Sequence, residues 1–464
     1  MSRLAWFSPW PPQQSGIAGR SFEVVPLLAE RGHAIDVFVD EREPALEAVV
    51  VRGSADPPSP GDVRVQSAHD FVWRHVRKQY DLVVYQVGNS RVHEFLWPYL
   101  FRWPGLVVLH DARLHHARGR ALLRRRRFDD YRAEFAWNHP AVSIDAAELA
   151  VKGFDGEYYY QWPMVRGVLE SARGVATHAR GAIDALRDIA GPGRRIDYIA
   201  LGEGPDAFDV TATRESFRAR HGLDANAIVF GVFGALTAEK RVLQALRAFA
   251  ATRARVPDAR ILLAGRTDPT LFLEREIATL GLMNAVTRIE PADDGEFDAA
   301  VASVDVSLNL RWPTSLETSG PWLRSLALGR ASIIVDLAHQ GHLPVLDPRT
   351  WHRHSPSDDL GPDADARAIA VAIDILDEDH SLRLAMRRLA TDAALRDRLG
   401  REARLYWERE HAVARMVEDY ERTIEATLAL EPPEPTLPAH LRPDPGRFGR
   451  TLIAAFGVNS ADVL

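Results

Sequence analysis

The sequence contains no cysteine among its 464 residues. Disulfide bonds, thiolate metal ligands and cysteine nucleophiles are therefore excluded. Long apolar runs are also missing, since no stretch approaches the roughly 20 apolar residues that a membrane-spanning helix needs. The chain enters a strand-like run, Leu4–Phe7, without the pattern of a signal peptide. These absences predict a cytoplasmic location.

The chain also lacks a strong excess of either charge. Its net charge is −7, and charged residues make up 26% of it, which is ordinary for a globular protein. We therefore expect no nucleic-acid partner. The loop after the first strand has no Gly-x-Gly-x-x-Gly pattern, and this disfavours a dinucleotide-dependent dehydrogenase.

A strand–loop–helix–strand pattern occurs twice along the chain. The strand Leu4–Phe7 is followed by a helix to about Arg31 and by a second strand, Ala34–Val39. The pattern restarts after about residue 206, with a strand over Ile228–Phe233 and a helix over Arg241–Ala254. Two doubly wound α/β domains are predicted, and their ligands are expected in a cleft beyond the carboxyl ends of the strands.

The C-terminal part reads as helical. Its apolar periodicity predicts helices over Ala366–Asp377, over Leu382–Leu389 and in one long stretch from about Ala393 to Leu428. A proline-rich tail begins at Glu431, and residues 448–456 are predicted to form a short docking helix.

Residues 309–336 carry the clearest functional signal. A loop with one carboxylate, Glu317, leads into Thr318-Ser319-Gly320-Pro321, which is typical of a helix start. Gly329 ends that helix, and Ala331–Val335 reads as a buried strand. A helix N-terminus binds anions, and a neighbouring carboxylate binds hydroxyl groups. The combination favours a nucleotide sugar as ligand, whereas the alternative is an ordinary loop–helix–strand unit.

Other polar residues lie at strand-to-helix junctions. Gly16 precedes the first helix, and His110 follows the apolar strand 106–109. Lys240 begins the helix after the strand 228–233, where a lysine can neutralise a diphosphate. His110 also lies near His115 and His116, but the spacing does not fit a known metal site. No metal is therefore expected.

The segment from Arg311 to Gly320 has the form Arg-x-Pro-Thr-x-x-Glu-Thr-Ser-Gly. It resembles the donor-binding signature of a branch of the retaining GT-B glycosyltransferases of family 4. The loop Pro-Pro-Gln-Gln-Ser-Gly-Ile-Ala at residues 11–18 and Leu-His-Asp at residues 109–111 are similar to further segments of that family. The resemblance extends over about residues 1–430.

The resemblance implies a GT-B fold of class α/β, with two Rossmann-like domains that face a central cleft. Residues 1–205 would bind the acceptor, residues 206–405 the donor, and residues 406–430 would form a helix that crosses back to the first domain. Residues 431–464 form the proline-rich tail.

The resemblance also implies an activity. The enzyme would move a hexose-type sugar from a UDP- or GDP-sugar to a glycan, a lipid-linked or a small-molecule acceptor, with retention of configuration. Neither a metal nor another cofactor would be needed. Two other classes stay open, namely a GT-B-shaped sugar-nucleotide epimerase and a non-catalytic binding protein.

Site residues follow from the same resemblance. The catalytic set would be His110, Lys240 and Glu317. The donor-binding set would be Gly16, Ala235, Thr318, Ser319, Gly320 and Ser325. The acceptor-binding set would be Gln86, Asn89, Asp111, His115 and His116.

Two of these positions depart from the family pattern. Ala235 stands where an arginine usually helps to hold the diphosphate, and Ser325 stands where a second glutamate usually holds the ribose. A neutral serine makes a weaker hydrogen bond than a carboxylate, so weak binding of free nucleoside diphosphate is expected.

Arginines cluster between Arg118 and Arg127. One interpretation is a helix that contacts an anionic acceptor or the inner face of a membrane. The other is a solvated helix face whose arginines pair with Asp129 and Asp130. The solvated face is favoured.

Overall fold

The computed structural model describes residues 1–13, 15–40, 61–154, 156–353 and 364–442, together with 444, 446, 453, 456 and 457. The docking helix predicted over residues 448–456 lies almost entirely outside this described part.

The first half of the chain forms a seven-stranded sheet in which all neighbouring strands run parallel, in the order β3-β2-β1-β4-β5-β6-β7. Its strands are β1 (Arg3–Phe7), β2 (Ala34–Val39), β3 (Val63–Ser67), β4 (Leu82–Val87), β5 (Leu106–Leu109), β6 (Gly174–Thr177) and β7 (Asp197–Tyr198). Its helices are α1 (Gly16–Glu30), α2 (Phe71–Arg77), α3 (Trp97–Leu100), α4 (His115–Arg124), α5 (Phe128–Asn138), α6 (Ile144–Val151), α7 (Tyr158–Gln161), α8 (Arg166–Ser171) and α9 (Ile183–Ala190).

The second half repeats this architecture, with parallel strands in the order β10-β9-β8-β11-β12-β14-β13. Its strands are β8 (Val229–Phe233), β9 (Arg260–Ala264), β10 (Val286–Ile289), β11 (Val306–Asn309), β12 (Ala331–Val335), β13 (Val345–Leu346) and β14 (Ala370–Ile373). Its helices are α10 (Val210–Arg220), α11 (Val242–Arg253), α12 (Leu273–Thr279), α13 (Asp294–Ser303), α14 (Gly320–Ala327), α15 (Glu378–Thr391), α16 (Ala393–Glu410) and α17 (Val413–Leu428).

The order of the strands indicates where a ligand would bind. In each sheet the chain winds outward in both directions from the first strand, so a crevice opens between β1 and β4 and between β8 and β11. Ligands of doubly wound folds bind at this switch point, outside the carboxyl ends of the strands. The predicted α/β architecture of two doubly wound sheets is confirmed.

Helix α17 joins the two halves. It packs against α1 and β6 of the first half, and the rings of Trp6 in β1 and Tyr420 in α17 have centroids 5.3 Å apart. Trp6 is fully buried and Tyr420 almost fully. The C-terminal helix therefore rests on the core of the first sheet.

Two sequence predictions about the C-terminal part are wrong. Residues 366–377 are not a helix, because they contain strand β14 between two short 3-10 turns. A short apolar run is ambiguous between buried helix and buried strand, and here parallel pairing with β12 decides for the strand. The long helix predicted over residues 393–428 is broken at His411 and Ala412 into α16 and α17.

No helix in the ranges that the structure describes is both long and apolar enough to cross a bilayer.

Candidate active site in the interdomain cleft

A cleft of about 550 Å³ opens between the carboxyl edges of the two sheets. One wall comes from loops after β1, β4 and β5, and the other from loops after β8 and β11. The predicted residues that line it are Asn89, Asp111, His116, Ala235 and Lys240. The cleft therefore brings together polar groups from both halves of the chain.

Glu317 is held by a tight turn in the loop between β11 and α14. Its Oε2 accepts hydrogen bonds from the Thr314 hydroxyl at 2.9 Å and from the Ser315 amide at 2.7 Å. Arg311 Nε lies 2.7 Å from its Oε1, and the Glu317 side chain is 10% exposed. Leu316 adopts a left-handed φ of 58°, which turns the backbone so that the loop folds around the carboxylate. Glu317 is thus fixed in one orientation.

Helix α14 begins as the sequence predicts. Ser319 is its N-cap, with the side chain accepting from the Trp322 amide, and Pro321 lies in the first turn. Gly329 follows the helix with a left-handed φ of 62°. Because Pro321 has no N–H and Ser319 satisfies one donor, the Gly320 amide is left among the donors at this positive helix end.

Thr318 binds the first half of the chain. Its hydroxyl donates to the carbonyl oxygen of His178 at 2.7 Å. Ala112 donates from its amide to the Ser315 carbonyl at 2.9 Å, and Arg113 donates to the Thr314 carbonyl at 2.9 Å. The loop that carries Glu317 is therefore fastened to the opposite wall of the cleft.

Lys240 reaches back over the end of β8. Its Nζ donates to the Phe233 carbonyl at 2.5 Å. A Cβ atom at Gly234, whose φ is 78°, would lie 2.5 Å from that Nζ and 3.4 Å from Cγ of Pro321. The ammonium group therefore lies beside the first turn of α14, and only a glycine leaves room for it.

The protonation of Lys240 is finely balanced. Burial, with a smaller contribution from the Arg311 charge, lowers the pKa of Lys240 to about 7, although Glu317 acts in the opposite direction. Burial and the nearby Arg311 charge disfavour the ammonium form more than Glu317 favours it. The site is accordingly suited to receive an anion.

His110 is neutral in this environment. Burial lowers the pKa of His110 well below its ordinary value, and the neighbouring His178 and His93 act in the same direction. His110 Nε2 lies 2.7 Å from the side-chain oxygen of Gln86. The Tyr420 hydroxyl also donates to that oxygen at 3.2 Å. Helix α17 thereby takes part in orienting the histidine.

Asn89 connects several polar groups at the wall formed by the first half of the chain. Its amide donates to Asp111 Oδ2 at 2.7 Å, and its side-chain nitrogen lies 3.2 Å from both His116 Nδ1 and Ser315 Oγ. Burial, with a smaller contribution from the Glu317 charge, raises the pKa of Asp111 above its ordinary value. The negative charge of Glu317, in the second half of the chain, therefore acts on a carboxyl group of the first half.

Other predicted residues do not line this cleft. Glu317, Thr318 and Ser319 line a small neighbouring pocket together with His178 and His339. His115 is fully buried, with its ring nitrogens 2.8 Å from the Trp162 carbonyl and 2.9 Å from the Tyr131 hydroxyl. Gln86 is 1% exposed, and its side-chain oxygen contacts the ring of His110. Gly16 is the first residue of α1, where its neighbours Ser15 and Ile17 line the cleft instead.

Ser325 is also fully buried. Its hydroxyl lies 2.8 Å from the Ser307 hydroxyl and donates to the Pro321 carbonyl at 2.9 Å. The side chain thus faces strand β11 rather than the cleft, with its hydrogen-bonding capacity used inside the domain.

The sequence predicts that the arginines between Arg118 and Arg127 form a solvated helix face. For Arg118 this prediction is wrong. That residue is buried, and its Nε donates to Glu134 Oε2 at 2.6 Å. His440 of the tail lies 2.7 Å from the same carboxylate, so the tail covers this part of α4 and α5. Arg124 and Arg125 both pair with Glu94. Membrane contact through the cluster stays a prediction.

Some residues of the site were not found from the sequence. Arg311 is the first residue of the motif at residues 311–320, but no role was assigned to it from the sequence. Tyr160 lines the cleft, and Tyr420 reaches Gln86. No local pattern marks them, because only folding brings their helices to the site. Among the described residues, no group of three or more histidine and carboxylate side chains could hold a metal ion.

Comparison with protein-family models and with curated protein sequences found no match.

Solved structures do match. Sucrose-phosphate synthase from Thermosynechococcus elongatus is 14% identical with a TM-score of 0.62, and the match covers 92% of this chain and 100% of that one. HepE from Anabaena, in complex with UDP-glucose, is 14% identical with a TM-score of 0.57 over the same shares of the two chains. WaaG, a glycosyltransferase involved in lipopolysaccharide biosynthesis, is 16% identical with a TM-score of 0.55, again over 92% and 100%. At such identities the likeness shows the fold alone, and that fold is GT-B.

Proposed function

We propose that this protein is a glycosyltransferase that uses a nucleoside-diphosphate sugar and retains the anomeric configuration, as its resemblance to family 4 implies. One observation carries the proposal. Lys240 and Arg311 line one wall of the cleft, Lys240 lies beside the first turn of α14, and the fixed carboxylate of Glu317 pairs with Arg311. An anion site next to a hydroxyl-binding carboxylate matches the two chemical parts of such a donor.

The donor's diphosphate is assigned to Lys240 and the first turn of α14. Cleavage of the bond between the anomeric carbon and the phosphate leaves negative charge on the diphosphate, and a fixed cation and helix end stabilise that charge. Neither needs to reorganise during the reaction, since the Phe233 carbonyl and the helix already hold them. The proposal therefore needs no metal ion.

Glu317 is assigned to the hydroxyl groups of the transferred sugar. Its bonds to Thr314 and Ser315 prevent rotation of the carboxylate, so the sugar is positioned rather than merely attracted. His110, neutral at physiological pH, is assigned to hydrogen bonding with the sugar as positive charge develops on the anomeric carbon.

The acceptor is assigned to the wall formed by Asn89, Asp111 and His116. Its hydroxyl attacks the anomeric carbon from the face that the diphosphate leaves, and a phosphate oxygen of the leaving group takes the hydroxyl proton. A new bond from the anomeric carbon to the acceptor oxygen replaces the bond to phosphate. A glycan, a lipid-linked or a small-molecule acceptor fits this scheme.

A screen of UDP- and GDP-sugars with and without acceptors tests the proposal. Release of nucleoside diphosphate that depends on an acceptor, with an unchanged anomeric configuration by proton NMR, is the expected result. Conversion of the donor to an epimer without acceptor would assign the protein to the isomerases instead. Binding of the donor without any turnover would leave a binding protein.

A further inference from the structure

The proposed donor site lacks a second cation at the position where one is expected. Ala235 follows β8 and lines the cleft, but it cannot contribute charge. A bound diphosphate carries at least two negative charges, whereas Lys240 supplies at most one positive charge and a helix end about half of one. The described part of the donor wall therefore needs another group to neutralise the ligand.

Arg311 lies on that wall. It follows β11 at the switch point of the second sheet, and it lines the same cleft as Ala235 and Lys240. Its charge acts on Lys240 and also on Asp111 across the cleft, so the guanidinium lies among these groups. The Arg311 side chain is 35% exposed, which leaves one side of it open to a ligand.

The ion pair with Glu317 engages only one part of the Arg311 guanidinium. Nε lies 2.7 Å from Glu317 Oε1. Within the described ranges, the structure records no hydrogen-bond partner for either terminal nitrogen. An arginine presents its donors in a rigid planar fork, which suits two phosphate oxygens. One edge of the guanidinium is thus occupied by the Glu317 carboxylate, and the other edge is available to phosphate oxygens.

We propose that Arg311 is the second cation of the diphosphate site and replaces the arginine that is missing at Ala235. Its terminal nitrogens bind phosphate oxygens while Nε stays on Glu317. The inference rests on the proposed function, because it assumes a nucleoside-diphosphate donor. The same residue then links the carboxylate that holds the sugar to the group that leaves.

A purely structural role makes a different prediction. If Arg311 served only to orient Glu317, its loss would impair binding of the sugar but not of a ligand that has no sugar. UDP, GDP and inorganic pyrophosphate lack the transferred sugar, so their affinity reports on the phosphate contacts alone.

Calorimetric titration of the full-length protein with these three ligands tests the inference. We expect Arg311→Ala to weaken their binding by about 10- to 100-fold, the range for a hydrogen bond between charged groups. The double variant Arg311→Ala/Ala235→Arg should recover most of the loss, because the new cation stands beside the same phosphates. Arg91→Ala is the matched control, since Arg91 lines the opposite wall of the cleft; it should leave the affinity unchanged.

Arg311→Lys, which keeps the charge and loses the fork, serves as the second variant if the alanine protein is unstable by thermal unfolding. It should bind more weakly than wild type. If wild type binds a nucleoside diphosphate and neither variant changes that affinity, the inference is overturned while the proposed function stands. If wild type binds none of the three ligands, the inference is overturned, whereas the proposed function is decided separately by acceptor-dependent turnover in the donor screen.

Discussion

Binding of a nucleotide sugar should load a proton onto Lys240. In the structure the pKa of Lys240 is lowered to about 7, so the amine is ~half protonated at pH 7 and only ~one-tenth protonated at pH 8. A bound diphosphate places negative charge beside Nζ and raises the pKa again. Uptake of ~0.5 proton at pH 7 and ~0.9 proton at pH 8 is therefore expected from this residue.

The proton count can be measured by calorimetry. Titrations with UDP-glucose in buffers of different ionisation enthalpy give the protons taken up as the slope of observed against buffer enthalpy. A sugar nucleotide is preferable to UDP, because the terminal phosphate of UDP itself titrates near pH 6. The uptake should grow from pH 6 to pH 8, since the free lysine becomes progressively less protonated.

Lys240→Arg isolates the contribution of the lysine, because arginine keeps its charge throughout this range. Asp111, whose pKa burial also raises, can take up protons too, so the comparison of wild type with the arginine variant is the decisive quantity. If the two proteins take up equal numbers of protons at pH 8, Lys240 does not face the diphosphate and the reasoning is refuted.

Three further predictions follow from the site. Glu317→Ala should lower turnover by about 10²- to 10³-fold in protein that still folds, as for loss of one oriented polar contact, and it should also lower the melting temperature, because Thr314 and Ser315 lose their acceptor; near-normal transfer would remove Glu317 from the mechanism. Transfer should persist in excess chelator, and activity that is lost and then restored by Mn²⁺ or Mg²⁺ would contradict the assigned roles of Lys240 and α14. Ser325→Glu should lower the melting temperature, because it buries a carboxylate between β11 and α14; an unchanged melting temperature with tighter UDP binding would mean that the glutamate reaches the cleft.

The tertiary arrangement also changes how the departures from the family pattern are understood. The sequence treats Ala235 and Ser325 as two lost contacts. In the structure Ser325 is an internal hydrogen-bonding residue of the second half of the chain, whereas Ala235 and Arg311 line the same cleft. The two departures are therefore different in kind, because one side chain points into the domain and the other position is at the cleft surface.

The sequence pattern was sufficient to predict those features that neighbouring residues determine. The start of α14 follows from a hydroxyl cap and a proline, and its end from a glycine that adopts a left-handed conformation. The repeated strand–helix units predicted two doubly wound sheets, because apolar strands alternate with amphipathic helices in each half. The positions of Lys240 and of Glu317 at strand-to-helix loops followed from the same alternation.

Other features depend on partners that are distant in the chain. Residues 370–373 form a strand because β12 and β13 pair with them, and His115 is buried because helices α5 and α7 cover it. The Gln86 side chain meets Tyr420 across 334 positions of sequence. Periodicity shows which side of a segment is apolar, but the neighbour that covers it is chosen by packing. The sequence by itself thus determined the repeated strand–helix units and the sheet edge at which polar loop residues collect, because both follow from local patterns. Only the tertiary structure decided the C-terminal elements and which polar side chains face the cleft, because these depend on packing between distant segments.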